Sequence, residues 1–177
     1  MKQGALKIIV TEKNILFAER ENPYKPTDYE KGFHLEFSRV RRNETSPLTY
    51  RKTLNYGDNI LEKRRIKKEG ADEPLFLNTR GEIAEGAVTN IFFVKDGRLY
   101  TPPVSCGLLP GTVREFIIKN FPACERVIRP EETKNFQEAF VTNSLLGIMP
   151  AASLGEKKFT ERTFVLKIQK MYRNLLL

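Results

Sequence analysis

Residues 74–101 read PLFLNTRGEIAEGAVTNIFFVKDGRLYT, and two short apolar runs separated by turn chemistry organise them. Pro74 to Leu77 and Val88 to Val94 are rich in β-branched and aromatic residues and too short for helices, so both are expected to be strands. Asp96-Gly97 stands between Val94 and Leu99-Tyr100, and an Asp-Gly pair supplies the positive-φ positions of a two-residue hairpin. The sheet is expected to be mainly antiparallel here.

Working downstream, Gly107-Leu108-Leu109-Pro110-Gly111 opens a helix expected from about Thr112 to Asn120. Its free N–H groups and dipole suit a phosphate dianion, although a glycine before a helix is more often a plain turn. Phe140-Val141-Thr142 is a short buried strand followed by Asn143-Ser144. A last helix is expected from Thr160 as N-cap, with Phe164, Ile168 and Leu175 on one face.

Upstream, Leu6 to Thr11 and Ile15 to Glu19 form a hairpin through Glu12-Lys13-Asn14. Asn22 to Thr27, with two prolines, is a loop; Gly32 to Val40 is a half-buried strand; Arg41 to Pro47 is a polar turn. Tyr56 to Glu69 favours a helix that Gly70 ends, so Lys52 lies just ahead of a helix start. The fold class is α+β, a barrel-like sheet with flanking helices.

A 177-residue chain with 40% hydrophobic and 10% aromatic residues can bury a core, which excludes a disordered chain. Apolar runs such as Ala5 to Val10 fall short of the roughly 18 residues a membrane helix needs. Met1-Lys2-Gln3-Gly4 leads into a strand with no signal core, so a cytoplasmic location is expected. Cys106 and Cys124 share no metal spacing with His34, and two part-buried reduced thiols are expected instead of a zinc site. The +8 net charge suits nucleic acid or small anions alike. Lys63, Arg64, Arg65, Lys67 and Lys68 lack interleaved aromatics and read as a solvated helix face, so no nucleic-acid partner is expected.

Four segments occur in the order in which they stand in one family. Arg51-Lys52-Thr53-Leu54-Asn55-Tyr56, the stretch from Leu77 to Phe92, Leu99-Tyr100-Thr101-Pro102, and Gly107 to Arg114 together resemble the fold-type IV pyridoxal-phosphate enzymes, the class IV aminotransferase and aminodeoxychorismate lyase family. The resemblance runs from about Leu6 onward. It implies pyridoxal 5'-phosphate as cofactor, with Lys52 as the Schiff-base lysine, which must lose its proton to attack an aldehyde. It places Glu85 against the pyridine nitrogen, where a carboxylate keeps that nitrogen protonated and the ring an electron sink. The amides of Thr112 and Val113 would hold the phosphate, with the Ser144 hydroxyl as a further donor. Tyr56 would touch the phenolic oxygen or pack at the helix start. Arg114 could balance the phosphate field, but an exposed helix arginine is the expectation.

Relatives of this kind carry a small α+β domain ahead of the segment matching Leu6, which supplies an arginine for the phosphate. Arg41 and Arg42 lie on the wrong side of the motif order for that role. Residues 1–177 are therefore expected to be a single cofactor-binding domain without the small one, a fragment or a truncated relative, with little or no activity by itself. Asn143-Ser144-Leu145-Leu146-Gly147-Ile148-Met149-Pro150 resembles the lyase branch, which implies pyruvate release from 4-amino-4-deoxychorismate to give 4-aminobenzoate for folate synthesis. A branched-chain or D-amino-acid aminotransferase, acting on a small amino substrate, is the alternative, and a silent binding or scaffold domain a second one. The resemblance also implies a homodimer.

Overall fold

The computed structural model describes residues 4–174. In chain order the strands are β1 (Gly4–Val10), β2 (Ile15–Glu21), β3 (Phe33–Arg42), β4 (Glu73–Asn78), β5 (Ile83–Gly86), β6 (Asn90–Lys95), β7 (Arg98–Thr101), β8 (Ala123–Glu125), β9 (Glu138–Asn143), β10 (Gly147–Leu154) and β11 (Lys157–Lys158). The helices are α1 (Pro26–Lys31), α2 (Gly57–Lys68), α3 (Thr112–Asn120) and α4 (Thr163–Asn174). β1 and β2 form a separate two-stranded sheet, and the other strands make one nine-stranded sheet in the order β5-β4-β3-β10-β9-β6-β7-β8, with β11 on β10. The architecture is the expected mixed α+β type, curled as a half-barrel.

The large sheet is antiparallel at most junctions, but β3–β4, β3–β10 and β7–β8 are parallel, which the residue patterns did not foretell. Asp96 and Gly97 take φ of 50° and 69°, as the tight β6–β7 hairpin requires. Alternation along β6 assigns its two faces. Ile91 and Phe93 join Leu35, Leu75, Ile83, Val141 and Met149 in one core. Phe92 and Val94 join Phe140 and Ile148 against Val113 and Ile117 of α3 and Val165 and Ile168 of α4. The stacked pair Phe92–Phe140, with ring centroids 5.1 Å apart, anchors this second layer.

Two expectations give way, one for a local reason and one to a longer-range contact. The Asn22–Thr27 loop ends in α1, because Pro26 occupies the first helical turn, where a missing N–H costs nothing. Arg162 donates to the carbonyls of Tyr29, Glu30 and Lys31 at the other end of that helix. The last helix starts at Thr163 instead of Thr160, capped from β9 by Glu138, which accepts from Phe164 N and Val165 N at 2.9 Å each. Of its expected apolar face, Ile168 is buried and Phe164 packs partly, while Leu175 lies outside the described residues. The thiols are free and unlike one another, Cys106 buried and Cys124 exposed. Among the described residues, no helix is long and apolar enough to cross a membrane.

Candidate active site

The strand β3 runs through Arg42, past the point where the sequence suggested a turn at Arg41. Arg41 stays exposed, whereas the Arg42 side chain is only 13% exposed and faces Glu85 of β5, Nε to Oε1 at 3.2 Å. The guanidinium stacks over Phe76 at 4.0 Å from the ring centre and donates from Nη1 to Asn59 Oδ1 at 2.7 Å. Among the described residues, its Nε and Nη2 are buried without an aligned acceptor, so the Glu85 contact is one of charge, not a hydrogen bond. Glu85 itself accepts one bond, from Leu109 N at 3.0 Å. Burial dominates and, with a smaller upward push from Glu73, raises its carboxyl to about 7 against the opposing pull of Arg42, the Leu109 N–H and the charge of Lys52.

The loop after Glu85 is held from three sides. The buried Glu73 accepts from Val88 N at 2.9 Å, Thr89 Oγ1 at 3.0 Å and Lys63 Nζ at 2.7 Å. Asn59 donates to Ala87 O, and Asn143 donates to Val88 O at 3.0 Å. A Cβ on Gly86 would lie 2.1 Å from Thr89 Oγ1 and 2.6 Å from Glu73 Oε1, so this close approach demands glycine.

Asn90 does the corresponding work for the helix start. Its Nδ2 donates to Leu109 O at 2.8 Å and its Oδ1 accepts from Gly111 N at 3.2 Å, which shapes the turn into α3. A Cβ on Gly111 would stand 2.4 Å from that Oδ1. The N–H groups of Thr112 and Val113 have no carbonyl one turn back, and the dipole leaves this end positive. Thr112 is exposed and Val113 buried. Thr142 pairs with Asn90 in the β6–β9 register and so shares its face, and its buried hydroxyl has no partner among the described residues. A glycine turn, free amides and an unspent hydroxyl fit a phosphate group.

Ser144 is exposed in the turn between β9 and β10. The preceding Asn143 shapes that turn, its Oδ1 accepting from Leu145 N and Leu146 N at 2.8 Å each. Lys52 is exposed on the segment leading to α2, and its charge lowers the Glu85 carboxyl more weakly than Arg42 or the Leu109 N–H does. Tyr56 is half-buried at the N-cap of α2, and its hydroxyl makes no hydrogen bond among the described residues. Arg114 is not an exposed helix residue: it is 5% exposed, donates to Pro102 O at 2.9 Å and pairs with Glu125, fastening α3 to the β7–β8 edge.

Residues missed by sequence reasoning are thus Arg42, Asn59, Glu73, Asn90 and Asn143 in their supporting roles. Asn90 and Asn143 stood inside quoted motifs, which was the available signal. Nothing local marked Arg42 or Asn59.

Residues 2–154 match the family described as amino-transferase class IV. The chain is 34% identical over 147 residues to a protein of Rickettsia felis named a probable branched-chain-amino-acid aminotransferase, covering 78% of this chain and 50% of that protein. It is 32% identical over 125 residues to the aminodeoxychorismate lyase of Bacillus subtilis, covering 68% and 43%. The branched-chain amino acid aminotransferase of Thermobaculum terrenum in its PLP-form superposes with a TM-score of 0.81 at 27% identity, covering 92% of this chain and 56% of that one. The chain spans about half the length of the curated relatives it matches. With more than four-fifths of its residues inside the match, the chain belongs to the amino-transferase class IV family.

Proposed function

We propose that this chain forms the cofactor-holding unit of an aminodeoxychorismate lyase, releasing pyruvate from 4-amino-4-deoxychorismate and leaving 4-aminobenzoate. The cofactor of the site is pyridoxal phosphate, which when bound supplies the electron sink for cleavage next to an amine-bearing carbon. The observation that carries the reading is Glu85: a buried carboxyl held near 7 by burial, with one bonded N–H and a charge-paired arginine, suits a partner for a ring nitrogen. Glu85 holds the proton at that nitrogen, Thr112 and Val113 present amides to the phosphate, and Ser144 offers a hydroxyl beside it. Lys52 would hold the cofactor through its amine and, when that amine is displaced by the substrate's own, would take the proton from the amine-bearing carbon. Tyr56, at the helix start, would touch the phenolic oxygen of the cofactor or pack where it stands.

Asn143-Ser144 and the Bacillus subtilis lyase support the lyase over its alternative. The several relatives named as branched-chain aminotransferases support that second reading, in which Lys52 moves a proton between two carbons. Self-association as a homodimer, a cytoplasmic location and a small amino substrate complete the proposal. Pyruvate release from aminodeoxychorismate, set beside amino-group transfer from a branched-chain amino acid to a 2-oxo acid, decides between the two. Transfer without pyruvate release overturns the lyase, and neither activity in a cofactor-loaded protein leaves a binding or scaffold domain.

A further inference from the structure

We propose that Asn59 is a positioning residue, which holds Arg42 side-on to Glu85 and ties the segment carrying Lys52 to the loop leaving Glu85. Its catalytic meaning rests on the cofactor reading above. Asn59 sits in the first turn of α2, seven residues after Lys52, and its amide spends both ends on the site. Oδ1 accepts from Arg42 Nη1 at 2.7 Å, and Nδ2 donates to Ala87 O.

The reason for a bridge at this point lies in the arginine. Stacking on Phe76 confines the guanidinium to a plane but allows it to turn within that plane. Nε and Nη2 are both buried without a bonded acceptor, so the bond to Asn59 is what fixes the in-plane angle. At that angle Arg42 reaches Glu85 through charge at 3.2 Å and leaves the carboxylate free of the two parallel bonds an arginine can form. A carboxylate locked by both N–H groups would have less to offer a ring nitrogen. Asn59 thus keeps Arg42 close enough to stabilise the anion and too oblique to capture it.

Released from Asn59, Arg42 turns its two orphaned N–H groups onto Glu85 and pulls the carboxyl proton affinity down. The other charges around Glu85 are Lys52 and Glu73, and both stay in place. The variants are Asn59→Leu, which fills the space without either bond, Asn59→Ser as a milder replacement, Arg42→Met, and the double variant Arg42→Met with Asn59→Leu. Isotope-edited infrared titration of Glu85 in cofactor-free protein, assigned with Glu85→Gln, reads the effect. Thermal unfolding reports on the fold.

The expected result is at least a threefold fall in Glu85 proton affinity for Asn59→Leu, a smaller fall for Asn59→Ser, a rise for Arg42→Met, and no further change when Asn59→Leu is added to Arg42→Met. Dependence on Arg42 is the signature that a merely structural asparagine would not produce. An unchanged or raised Glu85 titration in both Asn59 variants, or an equal shift with and without Arg42, overturns the proposal. If Asn59→Leu does not fold, the Asn59→Ser pair decides by the same criterion. A parallel titration with pyridoxal phosphate is expected to show about tenfold weaker binding for Asn59→Leu. Absence of any pyridoxal phosphate binding by the unaltered chain counts against the proposed function and leaves the Asn59 result to stand by itself.

Discussion

Glu62 and Glu85 are buried to a similar degree, with side chains 7% and 11% exposed, yet their surroundings move their carboxyls in opposite directions. Where α2 packs on β3, Glu62 accepts four bonds: from Ser38 Oγ, Arg39 N, and Arg65 Nε and Nη2. The Arg65 bonds lead in holding it down at about 2. Glu85 has one bonded N–H and an oblique arginine, so burial wins and its carboxyl rises to about 7. Burial alone therefore does not mark a functional acid. The number of donors aimed at the anion separates a carboxylate spent on the fold from one left with capacity for a ligand.

The largest effect that sharpens this contrast is expected at Glu62. Removing one member of a buried, hydrogen-bonded pair costs about 3–5 kcal/mol, so Glu62→Ala should lower the unfolding free energy by that order. Denaturant titration measures it, and a loss below about 1 kcal/mol, the scale of an exposed pair, would erase the contrast. Because the folded carboxyl lies below its unfolded value, the Glu62 contribution is present above about pH 4.5 and lost as the pH falls towards 2.

Glu85 should behave in the opposite sense. Its folded carboxyl lies above the unfolded value, so its stability contribution is complete below about pH 4.5 and is lost as the pH rises through 7. A displacement from 4.5 to about 7 corresponds to about 3 kcal/mol. Glu85→Gln should match the unaltered protein at low pH and exceed it in stability at pH 8, while losing affinity for pyridoxal phosphate. Parallel stability curves for the two proteins across this range would show that Glu85 is not raised.

Two smaller changes separate the phosphate end from the Glu85 end. Gly111→Ala forces its new Cβ against Asn90 Oδ1, at a cost of about 1–3 kcal/mol for overpacking. It should weaken binding of pyridoxal phosphate and leave that of pyridoxal, which lacks the phosphate, nearly unchanged. Equal weakening of both would mean that the turn before α3 does not serve the phosphate. Ser144→Ala removes one exposed donor and should cost about 1 kcal/mol in cofactor affinity, read by equilibrium dialysis. No loss would remove Ser144 from the phosphate contacts.

The parts of this site that are local in the chain were legible before any coordinates. The glycine turn into α3, the β6–β7 hairpin and the Asn143-Ser144 turn each depend on a few consecutive residues with special backbone demands. Arg42 was not legible, because an irregularity in the β3–β4 register between Phe37 and Arg41 breaks the alternation that would have assigned its face. The supports from Asn59 to Ala87 and from Asn143 to Val88 join residues 28 and 55 positions apart. Such pairings follow from the sheet order, which no local pattern contains. Arg114 misled for the same reason, since its acceptors on Pro102 and Glu125 lie outside its helix. Glu138 capping α4 from β9 likewise displaced the helix start expected at Thr160.

The central claim is that Lys52 and the raised Glu85 belong to one pyridoxal phosphate site. Its most direct test is borohydride reduction of the chain after loading with pyridoxal phosphate, followed by peptide mapping. The expected result is a single pyridoxyl label on Lys52, lost in Lys52→Ala and weakened in Glu85→Gln. A label spread over surface lysines, or no label at all, would contradict it.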